Sequence, residues 1–292
     1  NYDFKNRYLI NLNARYDGSS RFGENNRFGF FPSGAIGWRI SSEPFAEGIS
    51  AIFDDLKLRT SYGITGNQSI GNYASRALMN IGVGTNAGNN YTGRTGASFR
   101  SLASSGLSWE ETAQLDIGLD ATFFKNRINV TMDYYIKTTD KLLFNVPLPS
   151  QTGFTSIVDN VGKMENKGFE FAVSSVNVDR NGWYWTTNLN ISTNKNKILE
   201  LLDDEDVVVG SSFSGFSIAR VGESIGFYSY EREKYVNPDD GTVILVDQVT
   251  VDSDNDGVPD EVDGVVNTDD LVITGNPFPD VFGGVNNYIS YR

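Results

Sequence analysis

The sequence predicts an all-β chain: an antiparallel sheet of about eight strands, patterned like part of a transmembrane β-barrel. Three observations carry this. Apolar and polar residues alternate with period two over many segments, as in a sheet with one apolar face. Most of these segments run to about ten residues, the length of a tilted membrane-crossing strand. The connections are very unequal, as in barrels with short turns at one end and long loops at the other.

The strands read as follows. In Tyr8 to Tyr16, Ile10, Leu12 and Ala14 alternate with Asn11, Asn13 and Arg15. Phe28 to Ile40 and Leu56 to Ile64 come next. Leu115, Ile117, Leu119, Ala121 and Phe123 then alternate with Asp116, Gly118, Asp120 and Thr122. After Phe124-Lys125-Asn126-Arg127, a length that suits a hairpin, Ile128, Val130, Met132, Tyr134 and Ile136 share one face. A second hairpin runs from Phe169, Phe171 and Val173 through Asp179-Arg180-Asn181-Gly182 to Trp183, Trp185, Leu189 and Ile191. A last strand runs from Phe282 to the end. No long amphipathic helix is predicted, only a short helical turn at Ser50 to Asp55.

Connections at 17–27, 65–113, 139–167 and 196–281 are long and rich in Gly, Asn, Ser and Asp. Structureless loops beyond about 15 residues are uncommon in compact soluble domains. A soluble sandwich alternates too, so the loop asymmetry is what favours the barrel. Asn11, Asn13, Arg15, Lys57, Arg59, Asp116, Asp120, Asn129, Asp133, Asn188 and Asn190 would then line a wet lumen. Trp38, Trp183, Trp185, Tyr16, Tyr134 and Tyr135 are expected near strand ends as interfacial residues.

Composition narrows function. The 292 residues hold 24 Lys and Arg against 37 Asp and Glu, a net charge of −13, with no Cys and no His. The acid excess argues against nucleic acid, which needs clustered Lys and Arg. Thiol nucleophiles, disulfides, histidine bases and the usual zinc sites are excluded. No apolar run approaches the roughly 18 residues of a membrane helix. Asn1-Tyr2-Asp3-Phe4-Lys5 lacks the charged and apolar regions of a signal peptide and reads as the interior of a longer chain.

Several strings are more specific than the pattern. Tyr16-Asp17-Gly18-Ser19-Ser20-Arg21-Phe22-Gly23 leads through Asn25-Asn26-Arg27-Phe28-Gly29-Phe30-Phe31-Pro32-Ser33 to Gly37-Trp38-Arg39-Ile40-Ser41. Leu56-Lys57-Leu58-Arg59-Thr60-Ser61-Tyr62-Gly63-Ile64-Thr65-Gly66-Asn67 and Leu107-Ser108-Trp109-Glu110 follow. Then come Asn160-Val161-Gly162-Lys163-Met164-Glu165-Asn166-Lys167-Gly168-Phe169-Glu170 and Gly275-Asn276-Pro277-Phe278-Pro279-Asp280. In this order they resemble the C-terminal barrel region of SusC/RagA-type TonB-linked (TonB-dependent) outer-membrane proteins, over nearly all of 1–292.

That resemblance implies an incomplete arc of a larger plugged barrel, of the class with about 22 strands. It also implies a Gram-negative outer membrane, Bacteroidota, and contact with outer-membrane lipid. A SusD-like surface lipoprotein and the TonB–ExbB–ExbD machinery are the implied partners, and oligosaccharides (glycans) or peptides the implied cargo. The plug, TonB box and carboxypeptidase-regulatory-like extension of the full pattern are not among these residues, so the chain reads as a fragment of a transporter barrel without a catalytic centre.

The acidic stretch Asp252-Ser253-Asp254-Asn255-Asp256-Gly257-Val258-Pro259-Asp260-Glu261-Val262-Asp263 has acids at loop positions 1, 3, 5, 9 and 12 and Gly at 6. Such spacing wraps oxygens around a hard cation, with a carbonyl at position 7. Structural calcium is therefore expected at Asp252, Asp254, Asp256, Val258, Asp260 and Asp263. A solvated acidic loop is the plainer alternative. From Tyr235 to Tyr291 there are 12 acidic residues and no Lys or Arg. The resemblance adds an overlapping ligand set across Asp263 to Asp270, within an acidic region spanning 252–270.

Glu110-Glu111 and Asp203-Asp204-Glu205-Asp206 can be read as paired carboxylates for glycoside hydrolysis, but adjacent loop acids are usually just solvated. The Gly-rich stretch Ile81 to Gly96 lacks the Lys-Ser/Thr ending of a phosphate loop. Tyr91 and Trp109 are candidates for stacking on a sugar ring. The competing functional reading is a secreted or surface calcium-stabilised β adhesin that binds glycans.

Overall fold

A computed structural model describes every residue except 50–51, 82–89, 92–93, 203–205, 213–214, 231, 254–258 and 267–269. It divides into residues 1–202 with 280–292, and residues 203–279.

The first unit is one antiparallel sheet. Its strands are β1 Tyr2–Phe4, β2 Tyr8–Gly18, β3 Phe28–Arg39, β4 Phe53–Asn67, β5 Glu110–Phe123, β6 Ile128–Asp140, β7 Lys163–Arg180, β8 Trp183–Thr193, β9 Lys195–Glu200 and β10 Val281–Tyr291. Strands β1 to β8 pair in chain order, and β10 pairs with β8. Strand β9 continues β8 along the same edge of β7: Trp183–Thr193 lies against Glu170–Arg180, and Lys195–Glu200 against Lys163–Lys167. Eight strands are long, as the alternation predicts; β2 and β4 run two and three residues beyond the predicted Tyr16 and Ile64, and β3 ends at Arg39, one short of the predicted Ile40.

Because neighbours are antiparallel, the connections sort onto two ends. Residues 5–7, 40–49, 124–127 and 181–182 lie at one end and 19–27 and 141–162 at the other, where β4 ends, β5 begins, β8 ends and β10 begins. The tight turns explain their own sequences. Phe124, Lys125 and Asn126 hold φ of 54°, 59° and 63°, and Asn181-Gly182 holds 54° and 81°. Asn-Gly accepts left-handed backbone at both turn positions at low cost, which joins β7 and β8 in two residues. Beside it, a bulge between Val176 and Val178 shifts the register, and Arg127 caps it by donating from Nε and Nη2 to the Val176 carbonyl at 3.1 and 2.9 Å.

Register makes each face continuous. Ile10, Ile36, Thr60, Ile117, Tyr134 and Phe169 form one row across six strands. Asn11, Ala35, Ser61, Asp116, Tyr135 and Gly168 form the adjacent row on the opposite face. The apolar row is open: Ile36 is 55% exposed, Ile117 46% and Phe169 42%. A soluble sheet buries such a face under a second layer; this unit leaves it uncovered on strand after strand.

Three expectations are corrected. Of the helical turn expected at Ser50 to Asp55, Ser50 and Ala51 lie outside the described residues and Phe53 already opens β4; helical turns stand just upstream at Ile40–Ser42 and Pro44–Gly48, where Pro44 favours a helical start. Tyr134 and Tyr135 sit in the middle of β6, not near its end, and Tyr135 faces the polar side, donating to Asn194 Oδ1 at 3.0 Å. The long connections carry structure of their own. Leu78–Ile81 pairs with Ala97–Ser101, and Leu143–Pro147 with Ser156–Asn160.

In the second unit, Val207–Ser212, Gly215–Ala219, Gly226–Tyr230 and Leu271–Gly275 form a four-stranded sheet around buried Ile218 and Ala219. Two further hairpins pair Arg232–Val236 with Val243–Leu245, and Val249–Val251 with Glu261–Val262.

Candidate functional site

The polar face of the first unit is a wall of hydrogen-bonding side chains. All the residues expected to line a lumen fall on it, because the strand registers bring their alternate positions to one side. At its centre Lys57 Nζ meets Asp120 Oδ2 at 2.9 Å. Arg59 meets Asp120 through Nε at 3.2 Å and Asp133 through Nη2 at 2.7 Å. Arg59, Gly118 and Asp133 are in register on three successive strands, so Arg59 must reach across Gly118. A Cβ at 118 would overlap Asp133 Oδ1, and only glycine leaves the path open. Asp116 accepts from Ser61 Oγ at 3.2 Å and Gln114 Nε2 at 2.9 Å. Small residues Ser33, Ala35, Ser61 and Gly63 floor a trough beside Asn11 and Asn13.

At the long-loop end the distinctive strings converge on one apolar cluster. Phe22 (2% exposed), Phe31, Leu107 and Trp109 pack together, with Ile64, Ile70, Leu143 and Val158 against them. The Trp109 ring lies 5.0 Å from Phe22 and 5.3 Å from Phe31 between centroids, and its Nε1 donates to the Arg27 carbonyl at 3.1 Å. Asn160 ties a third segment in: Nδ2 donates to the carbonyls of Ser108 and Lys141, and Oδ1 accepts from Ser108 N at 2.6 Å. Phe22 to Arg27, Ile70, Leu107 to Trp109, and Leu143 with Val158 and Asn160 are thereby parts of one packed rim. Sequence reasoning missed the cluster; its signal was the strings themselves, which stand far apart in the chain yet share this contact.

This placement corrects one candidate. Trp109 is 5% exposed and already packed against two rings, so it offers no face to a sugar. The side chain of Tyr91 lies outside the described ones. The carboxylate pairs are likewise engaged. Glu110 accepts from Asn67 Nδ2 at 2.9 Å and Leu143 N at 3.2 Å, Glu111 from Lys141 Nζ at 2.9 Å, and Asp206 pairs with Arg220 at 2.6 Å. Asp203, Asp204 and Glu205 lie outside the described residues.

At the short-turn end Glu43 collects three donors: Tyr8 Oη at 2.6 Å, Trp38 Nε1 at 3.1 Å and Arg7 Nη1 at 3.5 Å. The tyrosine and tryptophan hydrogen bonds, with the nearby arginine, hold its carboxyl below the usual glutamate range. A lowered carboxylate pKa stabilises the fold above the unfolded-state value, and that contribution is lost as pH falls through the folded-state value. Thermal unfolding of the detergent-solubilised receptor should therefore separate wild type from Glu43→Gln at neutral pH, with the gap closing on acidification. A gap of constant size would overturn the assignment.

Of the expected calcium ligands, Asp254, Asp256 and Val258 lie outside the described residues. Asp260 accepts from both Ser253 N and Ser253 Oγ at 2.9 Å, which holds its carboxyl below the usual range. Asp263 accepts from Val265 N at 2.7 Å. Asp252 starts the loop, directly after Val251, which pairs with Glu261. Among the described residues no three carboxylates converge as a metal cluster would require.

The comparisons with known proteins agree with this geometry. Residues 1–287 match the family model described as TonB dependent receptor-like, beta-barrel. TonB-dependent receptor P3 of Formosa agariphila is 38% identical over 304 residues, covering 100% of this chain and 30% of that protein. TonB-dependent receptor SusC of Bacteroides thetaiotaomicron is 33% identical over 303 residues, covering 100% and 29%. The RagAB peptide transporter superposes with a TM-score of 0.84 at 29% identity, over 99% of this chain and 31% of that one. The chain thus spans about three tenths of the length of these relatives. They are receptors and transporters rather than enzymes, and their barrels lie in the outer membrane. This chain belongs to the TonB-dependent receptor β-barrel family, as an incomplete arc of an outer-membrane barrel of the SusC/RagA type.

Proposed function

We propose that the receptor containing this chain imports oligosaccharides or peptides across the outer membrane. Energy would come through TonB–ExbB–ExbD, and a SusD-like lipoprotein would cover the long-loop end. The observation that carries the reading is the two-faced wall. Its apolar face is open on strand after strand, which suits lipid. Its opposite face is lined with Asn, Ser, Asp and Arg, which suits a wet passage for polar cargo. A secreted adhesin would hold the same apolar face in water, where a patch that large drives association.

Deleting the receptor gene should abolish growth on the imported class, supplied either as oligosaccharides or as peptides as sole source, and the intact gene should restore it. Unchanged growth on both would overturn import. Calcium remains part of the proposal on the strength of the ligand spacing in 252–263. Calorimetry on the full receptor should show a calcium heat that Asp252→Asn with Asp256→Asn removes; a heat indifferent to both substitutions would overturn this site.

A further inference from the structure

We infer that residues 203–279 carry a docking surface for a protein partner whose contact face is aliphatic and rimmed with Lys and Arg. The unit's two hairpins each present an open cross-strand valine pair. Val236 faces Val243 in register, 56% and 51% exposed, and Val249 faces Val262, 51% and 52% exposed. Val265, three residues beyond Val262, is 62% exposed. Gly264 N donates to Asp247 Oδ2 at 2.9 Å, which binds the turn carrying Val265 to the segment that leads into Val249. Solvent-facing strand positions ordinarily carry Thr, Lys or Glu; β-branched aliphatics there gain nothing from water and stabilise only when covered.

Charge selects what covers them. Residues 203–279 hold 18 acidic residues against three basic ones, Arg220, Arg232 and Lys234. The unit's own cations therefore leave most of that charge uncompensated, and its field favours a basic partner. Nucleic acid and anionic lipid surfaces are repelled by the same field. A sugar would want planar aromatic faces and paired hydrogen-bond donors, and open valines supply neither. A protein face with an apolar centre and a Lys/Arg rim fits both features, the centre for affinity and the rim for orientation.

The inference deepens the reading of a surface lipoprotein over the long-loop end and rests on it. The test is purification of tagged full-length receptor from its native membranes, with the retained lipoprotein identified by its mass and acylated cysteine. Retention by wild type, reduced at least about ten-fold in Val249→Asp with Val262→Asp, is the expected result. About 0.5 M NaCl should weaken the wild-type complex by screening the rim. Unchanged heat-modifiable mobility would show that the variant barrel is folded. Equal retention by wild type and variant would overturn the docking surface while leaving import with a lipoprotein intact. No retention by wild type would overturn the partner reading and this inference together.

A second measurement separates coverage by the receptor itself. Val262→Cys should react with a membrane-impermeant maleimide in receptor stripped of lipoprotein and be protected in the complex. A thiol unreactive even in stripped receptor would mean that other parts of the receptor cover the valines, which overturns the proposal.

Discussion

Replacing Ile117 with Arg is expected to destabilise the folded barrel by about 2–4 kcal/mol, the cost of a guanidinium on the lipid face near the membrane midplane. Ile117 lies in the middle of β5, between Thr60 on one neighbour and Tyr134 on the other, and is 46% exposed. In water that exposure would make the substitution nearly free, because exposed surface changes usually stay within about 0.5 kcal/mol. In a membrane the same exposure faces hydrocarbon. Thr131→Arg is the matched control. Thr131 faces the polar side of β6 opposite Asp120, so the new cation meets water and a carboxylate. Urea unfolding of the full receptor in lipid vesicles should shift its midpoint downward for Ile117→Arg and leave it near wild type for Thr131→Arg. Equal shifts for the two would overturn the assignment of faces.

This contrast also shows how much was legible in the sequence. Alternation of period two identified the eight long strands and sorted Ile117 from Asp116, because neighbouring strand residues point to opposite faces. Register then followed from hairpins at 124–127 and Asn181-Gly182, where the turn leaves no slack. The long connections had no such period. The four-stranded sheet within 203–279 pairs Gly226–Tyr230 with Leu271–Gly275, about forty residues away, a pairing that no local pattern announces. Trp109 misled for a related reason. Its residue type suits a sugar platform, but its burial depends on Phe22 and Phe31, nearly eighty residues upstream or more. The acidic stretch was legible as spacing alone. Spacing does not say where each carboxylate turns, and Asp260 turns to Ser253. Glu43 gave no signal in sequence at all: its three donors come from Arg7, Tyr8 and Trp38, and only the pairing of β2 with β3 brings those together.

Trp109→Ala should have the other large effect, and it should be confined to the loop end. Removing a buried indole costs about 3–5 kcal/mol when the site cannot collapse. Collapse is restricted here, because Phe22 and Phe31 pack on the ring from two segments that Gly23 N to Leu107 O (3.0 Å) and Asn26 Nδ2 to Gly106 O (2.7 Å) hold in place. The ladder of β2 to β8 does not depend on the ring, so the barrel itself should stay inserted and heat-modifiable. What should fall is the free energy of local opening of the rim segments 19–27, 104–109 and 141–162. Limited proteolysis in these segments should accelerate by about a hundred-fold, since cleavage of a transiently opened region tracks its open population. Trp109→Phe keeps an aromatic body between Phe22 and Phe31 and loses only the Nε1 bond to the Arg27 carbonyl, which still accepts from Ser19 N at 2.8 Å, a loss of about 0.5–1.5 kcal/mol. The expected order of loop cleavage is therefore Ala fastest, Phe intermediate and wild type slowest. An inserted Trp109→Ala barrel with wild-type cleavage would mean that the backbone and Asn160 hydrogen bonds hold the rim without the aromatic cluster.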